Sequence, residues 1–212
     1  MTGTERALLP PGAGPETVDV DLDRVTVPLS WPELFGRDAP VELEVGSGKG
    51  RFLLDLAVLR PTTSFLAVER AGKYHKLVCE RVAKRGLGNV RLLRTTAEDL
   101  LYRLLPPASV AAFYLLFPDP WPKKRHHKRR FVTAENLAAI ARVLTPCGRL
   151  LVKTDHSGYA EVIGEVLAHA PSLRPLDAAE AFADLPLTGF ERKYLADGRE
   201  IHPFALERPR VS

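Results

Sequence analysis

A proline-rich acidic segment that runs directly into a basic one is the feature of this sequence that most clearly suggests chemistry. The stretch Phe117 to Arg130, FPDPWPKKRHHKRR, places one carboxylate, Asp119, and one indole, Trp121, between prolines. Proline fixes its own φ and restricts the residue before it, so this loop should be stiff. The carboxylate can accept hydrogen bonds from a flat base while the indole stacks on it, although Trp121 could equally be a packing residue.

The basic part of this segment suggests a phosphate-bearing partner. The formal net charge is +4, and six Lys and Arg residues fall within 123–130, so the basicity is local. Local charge favours a specific polyanion, and beside a crevice it can orient a large substrate. We interpret His126 and His127 as members of this patch and expect no metal site. The residues predicted to contact phosphates are Lys124, Arg125, Lys128, Arg129 and Arg130.

A second group of residues predicts a nucleotide pocket. The run 41–45 leads into EVGSGKGRF, where Gly46, Gly48 and Gly50 precede a helix that should begin near Arg51. Glycines at this point let the backbone turn sharply and approach a ligand closely.

Two carboxylates narrow the choice of ligand. Glu69 ends the next apolar run about 20 residues after the glycines, where it can accept hydrogen bonds from both ribose hydroxyls. Glu44 stands just before the glycines and suits an ammonium group better than a phosphate. The glycine spacing is also one residue shorter than the usual dinucleotide motif. These features favour S-adenosylmethionine as the cofactor, with NAD, or a tight turn that binds nothing, as alternatives.

Regularly spaced apolar runs must position these residues. The runs at 41–45, 65–69, 90–93, 111–117 and 149–153 are separated by segments of helical length. This β-α-β-α series is typical of an α/β domain with a mostly parallel sheet and helices on both faces. Ligands bind beyond the carboxyl ends of such strands, so the glycine loop and the acidic loop should share one crevice.

The remaining elements are less regular. Helical spacing precedes Gly86 and recurs from Leu137 to Leu144, and the imperfect alternation at 199–208 predicts an added edge strand. Residues 1–38, with several prolines and glycines, are predicted to form a loosely ordered N-terminal arm. Residues 39–212 are predicted to form a single domain.

Composition excludes other classes of protein. The longest purely apolar run, 110–117, is less than half a membrane span, so we expect a cytoplasmic protein with no membrane contact. Cys79 and Cys147 form no Cys-x-x-Cys pair, and we interpret both as small buried residues.

At these motifs the chain resembles the bacterial tRNA (guanine-N7)-methyltransferase family. ELEVGSGKG, PDPWPKKRHHKRR, LLVKTDHSGYAE and TGFERKYLADG are similar to its signatures and follow its order across roughly residues 40–206. The proline-basic motif is the specific one, since the glycine motif is shared by methyltransferases at large. The resemblance implies one Rossmann-like class I methyltransferase domain over 39–212 that methylates N7 of guanosine at tRNA position 46, in the variable loop, with S-adenosylmethionine.

The resemblance also implies roles for single residues. Asp119 matches a residue assigned both cofactor contact and catalysis, and we expect Asp119 and Glu191 to bind guanine through its N1 and N2 hydrogens. Asp155 should orient a basic or substrate group, or cap a helix near Ser157. The cofactor-binding set is Glu44, Gly46, Gly48, Glu69, Thr96 and Asp119. The substrate-binding set is Lys123, Asp155, Thr188, Gly189, Phe190 and Glu191.

One position departs from the family's pattern. Seven residues beyond Asn89 the family usually has Asp followed by Ala, near the adenine, where this chain has Thr96 and Ala97. Either the Thr96 hydroxyl replaces that contact, or Glu98 or Asp99 supplies it. Two rival functions fit part of the pattern: methylation of another nucleic-acid nitrogen, and RNA binding without catalysis on a degenerate fold.

Overall fold

A seven-stranded sheet forms the centre of the computed structural model, which describes residues 13–210. The strands are β1 (Val41–Val45), β2 (Ser64–Val68), β3 (Val90–Leu93), β4 (Val110–Leu116), β5 (Leu144–Thr154), β6 (Arg174–Pro175) and β7 (His202–Glu207). Their order in the sheet is β3-β2-β1-β4-β5-β7-β6. The first five pair in parallel, and β7 runs antiparallel to β5 and to β6. The strand order reverses between β1 and β4, where a crevice for ligands is expected.

Helices cover both faces of the sheet. They are α1 (Trp31–Phe35), α2 (Arg51–Leu59), α3 (Gly72–Lys84), α4 (Ala97–Asp99), α5 (Ala134–Val143), α6 (Ser157–Ala168), α7 (Ala178–Phe182) and α8 (Gly189–Ala196). Short 3-10 helices lie at Pro15–Thr17, Leu22–Arg24 and Lys124–Arg129, and a π-type turn at Leu100–Leu104 follows α4. Within residues 13–210, no helix is long and apolar enough to cross a membrane.

Alternate residues of each strand feed two separate hydrophobic clusters. Phe113 of β4 belongs to the cluster that contains Ile140 of α5, whereas its neighbour Tyr114 belongs to the cluster that contains Phe52 of α2 and Val78 of α3. Side chains point alternately to opposite faces of a strand, so the two clusters are the two faces of the sheet. The predicted α/β architecture with helices on both faces is therefore confirmed.

Two element boundaries are of interest. The helix predicted through Leu144 ends at Val143, and Leu144 instead begins β5, which continues past Pro146 and Gly148. A buried leucine satisfies both patterns, so its spacing could not separate a last helical turn from the start of a strand. The strand predicted at 199–208 is present as β7, which pairs with β5 from His202 to Glu207. It is not the edge strand that was predicted, because the two-residue strand β6 pairs with its other side.

The segment 13–38 differs from the loosely ordered arm that its composition predicted. The Val20 N–H donates to the Leu92 carbonyl (2.8 Å), the Leu92 N–H donates to the Val18 carbonyl (2.9 Å), and Val18 is fully buried. The segment thus continues the sheet at the open edge of β3, where unpaired strand groups need partners. The rest of the predicted arm, residues 1–12, lies outside the described residues.

A polar contact adds to this docking. Nε2 of His75, on α3, lies 3.2 Å from Oδ1 of Asp19. Sγ of Cys79, one turn along α3, is 4.0 Å from both ring nitrogens of His75. His75 and Cys79 are buried on α3, whereas Asp19 is exposed on the N-terminal segment. We therefore interpret the three side chains as a packing contact between the N-terminal segment and α3.

Candidate active site

A cavity of about 770 Å³ opens at the carboxyl ends of the parallel strands. The loops that follow β1, β2, β3 and β4 all contribute to its wall, together with the first turn of α8. Its volume falls in the range of small-ligand sites. The cavity brings together predicted residues from both sequence groups: Gly46, Gly48, Glu69, Thr96, Asp119, Arg129 and Phe190.

The glycine loop is held by the carboxylate of Glu69. One oxygen accepts from the Gly48 N–H (2.9 Å) and the other from the Ala71 N–H (2.8 Å). Gly48 has φ +53°, in the left-handed region that glycine adopts without strain. Each carboxylate oxygen has a second acceptor site, so Glu69 can receive ribose hydroxyls while it holds the loop.

Gly50 has a different requirement. A Cβ at this position would lie 2.7 Å from the nearest Val78 side-chain atom, and φ is +73°. Glycine here lets α2 begin directly against α3.

Glu44 supplies a buried carboxylate without a full set of partners. Its side chain is buried, and Oε2 has no hydrogen-bond partner among the described residues. Burial, reinforced by the nearby charge of Glu69, raises the pKa of Glu44 to about 8. The Ser47 hydroxyl is also buried and unpartnered within residues 13–210. Such groups are costly unless a ligand satisfies them, and a cationic donor would satisfy Glu44.

The position at which the chain departs from the family pattern lies on the cavity wall. Thr96 lines the cavity, and its Oγ1 accepts from the Asp99 N–H (3.1 Å) at the start of α4. The Asp99 carboxylate accepts from the Thr95 hydroxyl (2.8 Å) and pairs with Arg103 (2.7 Å). Glu98 is exposed and lines the cavity. Of the two carboxylates considered for this contact, Glu98 is the one that faces the ligand space.

The acidic loop is fixed at both ends. The Phe117 N–H donates to the Lys153 carbonyl (2.8 Å), and the Arg130 Nε donates to the Pro120 carbonyl (2.9 Å). Phe117 and Trp121 have φ of +57° and +43°, values unusual for residues other than glycine. Asp119, between these anchors, is exposed and lines the cavity. The predicted stiffness of the loop agrees with this geometry.

Trp121 is a packing residue and a cavity residue at once. The Arg129 guanidinium lies 4.9 Å from the centre of its ring, and His126 meets it edge-on at 5.6 Å. Trp121 and Arg129 both line the cavity. Trp121 and Arg129 therefore form a cation–π pair on the cavity wall, where a bound ligand could contact it.

The basic residues divide into two groups. Lys123 precedes the 3-10 helix Lys124–Arg129, and Lys124, Arg125 and Lys128 are exposed. Arg130 differs from its neighbours, because it is half-buried, donates to the acidic loop and lies 4.9 Å from the centre of the Tyr159 ring. Predicted as a phosphate contact, Arg130 has instead its main contacts within the protein.

The first turn of α8 carries the four predicted residues 188–191. Thr188 and Glu191 form a reciprocal capping box. Phe190 lines the cavity, has 55% of its surface exposed and stacks on Tyr194 at 5.9 Å. Glu191 is only 5% exposed, and its Oε1 accepts from the Lys153 ammonium group at 2.5 Å. Glu191 is not among the residues that line the cavity, and its predicted contact with guanine stays a prediction.

Two roles were predicted for Asp155, and its contacts distinguish between them. His156, not Asp155, caps α6, since its ring nitrogen accepts from the Tyr159 N–H (3.2 Å). The Asp155 carboxylate instead accepts from Arg199 at 2.9 Å. It therefore orients a basic side chain, as the first alternative stated.

Sequence reasoning missed Lys153. A lysine at the end of an otherwise apolar strand, RLLVK, was the available signal, because a buried charge needs a partner elsewhere in the chain.

The fold is that of a Rossmann-like methyltransferase. A solved antibiotic-related methyltransferase superposes with a TM-score of 0.58 at 21% identity, covering 93% of this chain and 98% of the other. The antibiotic-resistance methyltransferase Kmr gives a TM-score of 0.55 at 21% identity, over 82% of this chain and 89% of the other. At such identities the likeness concerns the fold alone.

Relatives with similar sequences identify the family. The family described as "Putative methyltransferase" matches residues 38–204. The tRNA (guanine-N(7)-)-methyltransferase of Mycobacterium avium is 42% identical over 189 residues, 87% of this chain and 72% of the relative. Enzymes of that name from Alkalilimnicola ehrlichii and Geobacillus kaustophilus are 40% and 35% identical, over 82% and 84% of this chain and 75% and 84% of their own lengths. The chain belongs to the tRNA (guanine-N7)-methyltransferase family.

Proposed function

We propose that this protein transfers a methyl group from S-adenosylmethionine to N7 of guanosine at position 46, in the variable loop of tRNA. One observation carries the proposal: a glycine loop held by the buried carboxylate of Glu69 and a rigid acidic loop with basic neighbours line the same cavity. The relatives' names support the atom and the class of RNA. The tRNA position rests on the motif resemblance.

The residues present fit the cofactor. The unpartnered Oε2 of Glu44 would accept from the ammonium group of the methionine part, and Glu69 would accept from the ribose. Thr96 and Glu98 stand on the wall where the adenine would lie. When bound, S-adenosylmethionine supplies a methyl group on a positively charged sulfur, which a nucleophile can attack in line.

Asp119 is proposed to position the base and stabilise its charge. Guanine N7 carries a free lone pair, so no proton has to be removed before it reacts, and the base becomes cationic as the new bond forms. A carboxylate on a stiff loop can hold N–H groups of the base and oppose that developing charge. The proposed role is orientation and electrostatics, without general-base catalysis.

The surrounding surface would hold the RNA. Four exposed basic side chains lie beside the cavity mouth, where phosphates could approach them: Lys123, Lys124, Arg125 and Lys128. Phe190 and Trp121 offer aromatic surface at the same mouth. A cytoplasmic location remains a prediction, in keeping with a tRNA substrate.

The test is methyl transfer from labelled S-adenosylmethionine to an unmodified tRNA transcript, followed by nuclease digestion and nucleoside mass spectrometry with fragment mapping. The expected product is 7-methylguanosine in the variable loop, absent from a transcript in which guanosine 46 is replaced by adenosine. Label on another atom or position would overturn the assignment. Tight tRNA binding with no transfer would indicate an RNA-binding protein on the same fold.

A further inference from the structure

Three parts of the site meet at one buried lysine. The Lys153 carbonyl accepts from the Phe117 N–H, which starts the acidic loop. Its ammonium group pairs with Glu191 in the first turn of α8 and lies 4.2 Å from the centre of the Phe182 ring at the end of α7. Lys153 therefore connects the strand β5 to both walls of the cavity mouth.

This pair is buried. Lys153 and Glu191 are 9% and 5% exposed. Removing one member of a buried ion pair leaves the other charge without compensation, which is far more disruptive than losing an exposed pair. Glu191 also forms the capping box of α8 with Thr188. The same carboxylate therefore stabilises the first turn of this short helix and joins it to Lys153.

The pair of Lys153 and Glu191 holds the first turn of α8 beside the cavity. Phe190, next to Glu191, lines the cavity and lies 6.4 Å from the ring centre of Phe117. Phe117 in turn meets Tyr194 edge-on at 5.6 Å. The same lysine thus fixes the backbone of Phe117 and, through Glu191, the helix that carries Phe190 and Tyr194.

We propose that Lys153 is a positioning residue for the methyl-transfer reaction: its pair with Glu191 seats α8 so that Phe190 and the acidic loop face the same entering base. This inference rests on the proposed function for its kinetic consequences. Lys153 touches neither cofactor nor base in it; it acts through Glu191 and through the backbone of Phe117.

Hydrogen exchange of the protein alone tests the seating directly. In Lys153→Met an unbranched apolar side chain is kept, while the ammonium group that pairs with Glu191 and lies over the Phe182 ring is lost. Amide exchange across 189–196 should then accelerate at least about tenfold, with α2 unchanged as the internal reference. Lys153→Arg, which keeps the charge, should exchange more slowly than Lys153→Met. Equal exchange in wild type and a folded Lys153→Met, or equal acceleration in α2 and α8, would overturn the proposal.

Kinetics test whether the seating serves the reaction. Lys153→Met should lower kcat/KM for tRNA at least about tenfold, while its affinity for S-adenosylmethionine stays within about twofold of wild type. Glu191→Gln keeps a residue able to form the capping box but loses the charge. The double variant should be no worse than the more impaired single variant, because both remove one interaction. If the kcat/KM losses of the two single variants multiplied in the double variant, Lys153 would not act through Glu191. If wild type itself does not methylate tRNA, the proposed function fails, and the exchange result still decides the seating.

Discussion

The two sides of the cavity hold their groups by different means. On the cofactor side, Glu44 and Glu69 are buried and the glycine loop is fixed by hydrogen bonds from its own backbone. On the substrate side, the exposed side chains are Asp119 and Lys123 on the loop after β4 and Lys128 on the short 3-10 helix that follows it. A preformed pocket can match a small cofactor of fixed shape, whereas a large polyanion is first attracted by the positive charge of the surface and then oriented. The variants below should therefore affect different measured quantities on each side.

Asp119→Asn should produce the largest loss. The amide keeps the shape of the side chain but removes the charge that opposes the developing cation, so turnover should fall by about 100-fold or more. Single-turnover rates with saturating tRNA and cofactor measure this. Asp38→Asn, an exposed change just before β1 at the far end of the strands, is the matched control. A loss of less than about threefold would remove Asp119 from the proposed charge stabilisation.

Glu69→Gln and Glu44→Gln should come next, and should act on cofactor binding. Each replaces a carboxyl group by an amide that cannot become an anionic acceptor when the cofactor binds, so calorimetry should show affinity for S-adenosylmethionine reduced by about 10- to 100-fold. Binding of tRNA without cofactor should be unaltered. Weakened tRNA binding with unchanged cofactor affinity would reverse the assignment of the two sides.

The buried carboxylate of Glu44 also predicts a pH dependence of stability. Its pKa of about 8 in the folded protein lies above its ordinary value of 4.5, so between these values the folded state holds a proton that the unfolded state has released. The free energy of unfolding should therefore decrease as pH rises through this interval, by at most about 1.4 kcal/mol per pH unit, and level off above it. Denaturant titrations of the cofactor-free protein measure it.

Glu44→Gln is the matched variant, because it cannot titrate. The stability of wild type relative to Glu44→Gln should fall from pH 5 to pH 8, whatever other groups contribute to both curves. Parallel curves would show that Glu44 is already ionised in the folded protein.

Lys128→Ala and Arg129→Ala should separate charge from stacking. Lys128 is exposed, so its loss should weaken tRNA affinity by a few-fold and reduce the slope of log affinity against log salt by about one. Arg129 lies over Trp121 on the cavity wall, so its loss should also lower turnover. Binding isotherms at several salt concentrations, with turnover for each variant, make the distinction. An unchanged salt slope for Lys128→Ala would count against phosphate contact.

The cofactor side was the more predictable from sequence. Its glycines lie between Glu44 and Glu69, within a span of 26 residues, and the two carboxylates stand at the ends of adjacent strands. Periodicity and chain order were therefore enough to predict that these groups lie close together. The substrate side depends on pairs far apart in the chain, such as Lys153 with Glu191 and Asp155 with Arg199. No spacing rule indicates that residues 38 or 44 positions apart will pair. For this reason the sequence predicts a contact of Glu191 with the base but does not predict its pair with Lys153.

The N-terminal segment shows a second limit. Val18, Val20 and Leu29 are buried against β3 and the turn that follows α4, yet prolines and glycines between them leave no helical or strand period. Local pattern describes regular elements, whereas this segment is ordered by contacts with an edge that the sequence alone does not reveal.

Arg199→Ala should have the smallest effect and is the sharpest contrast with Lys153→Met. Both lysine and arginine tie the α8 region to the end of β5, but the Arg199 and Asp155 side chains are 51% and 18% exposed. An exposed pair contributes about 0–1 kcal/mol, and the contact of Arg199 with Tyr194 adds at most a similar amount. Unfolding free energy should therefore drop by roughly 1 kcal/mol or less, with kcat within about threefold of wild type. If Arg199→Ala instead matched Lys153→Met in exchange across α8, burial would not be what distinguishes the two pairs, and the orientation of Asp155 would be the common determinant.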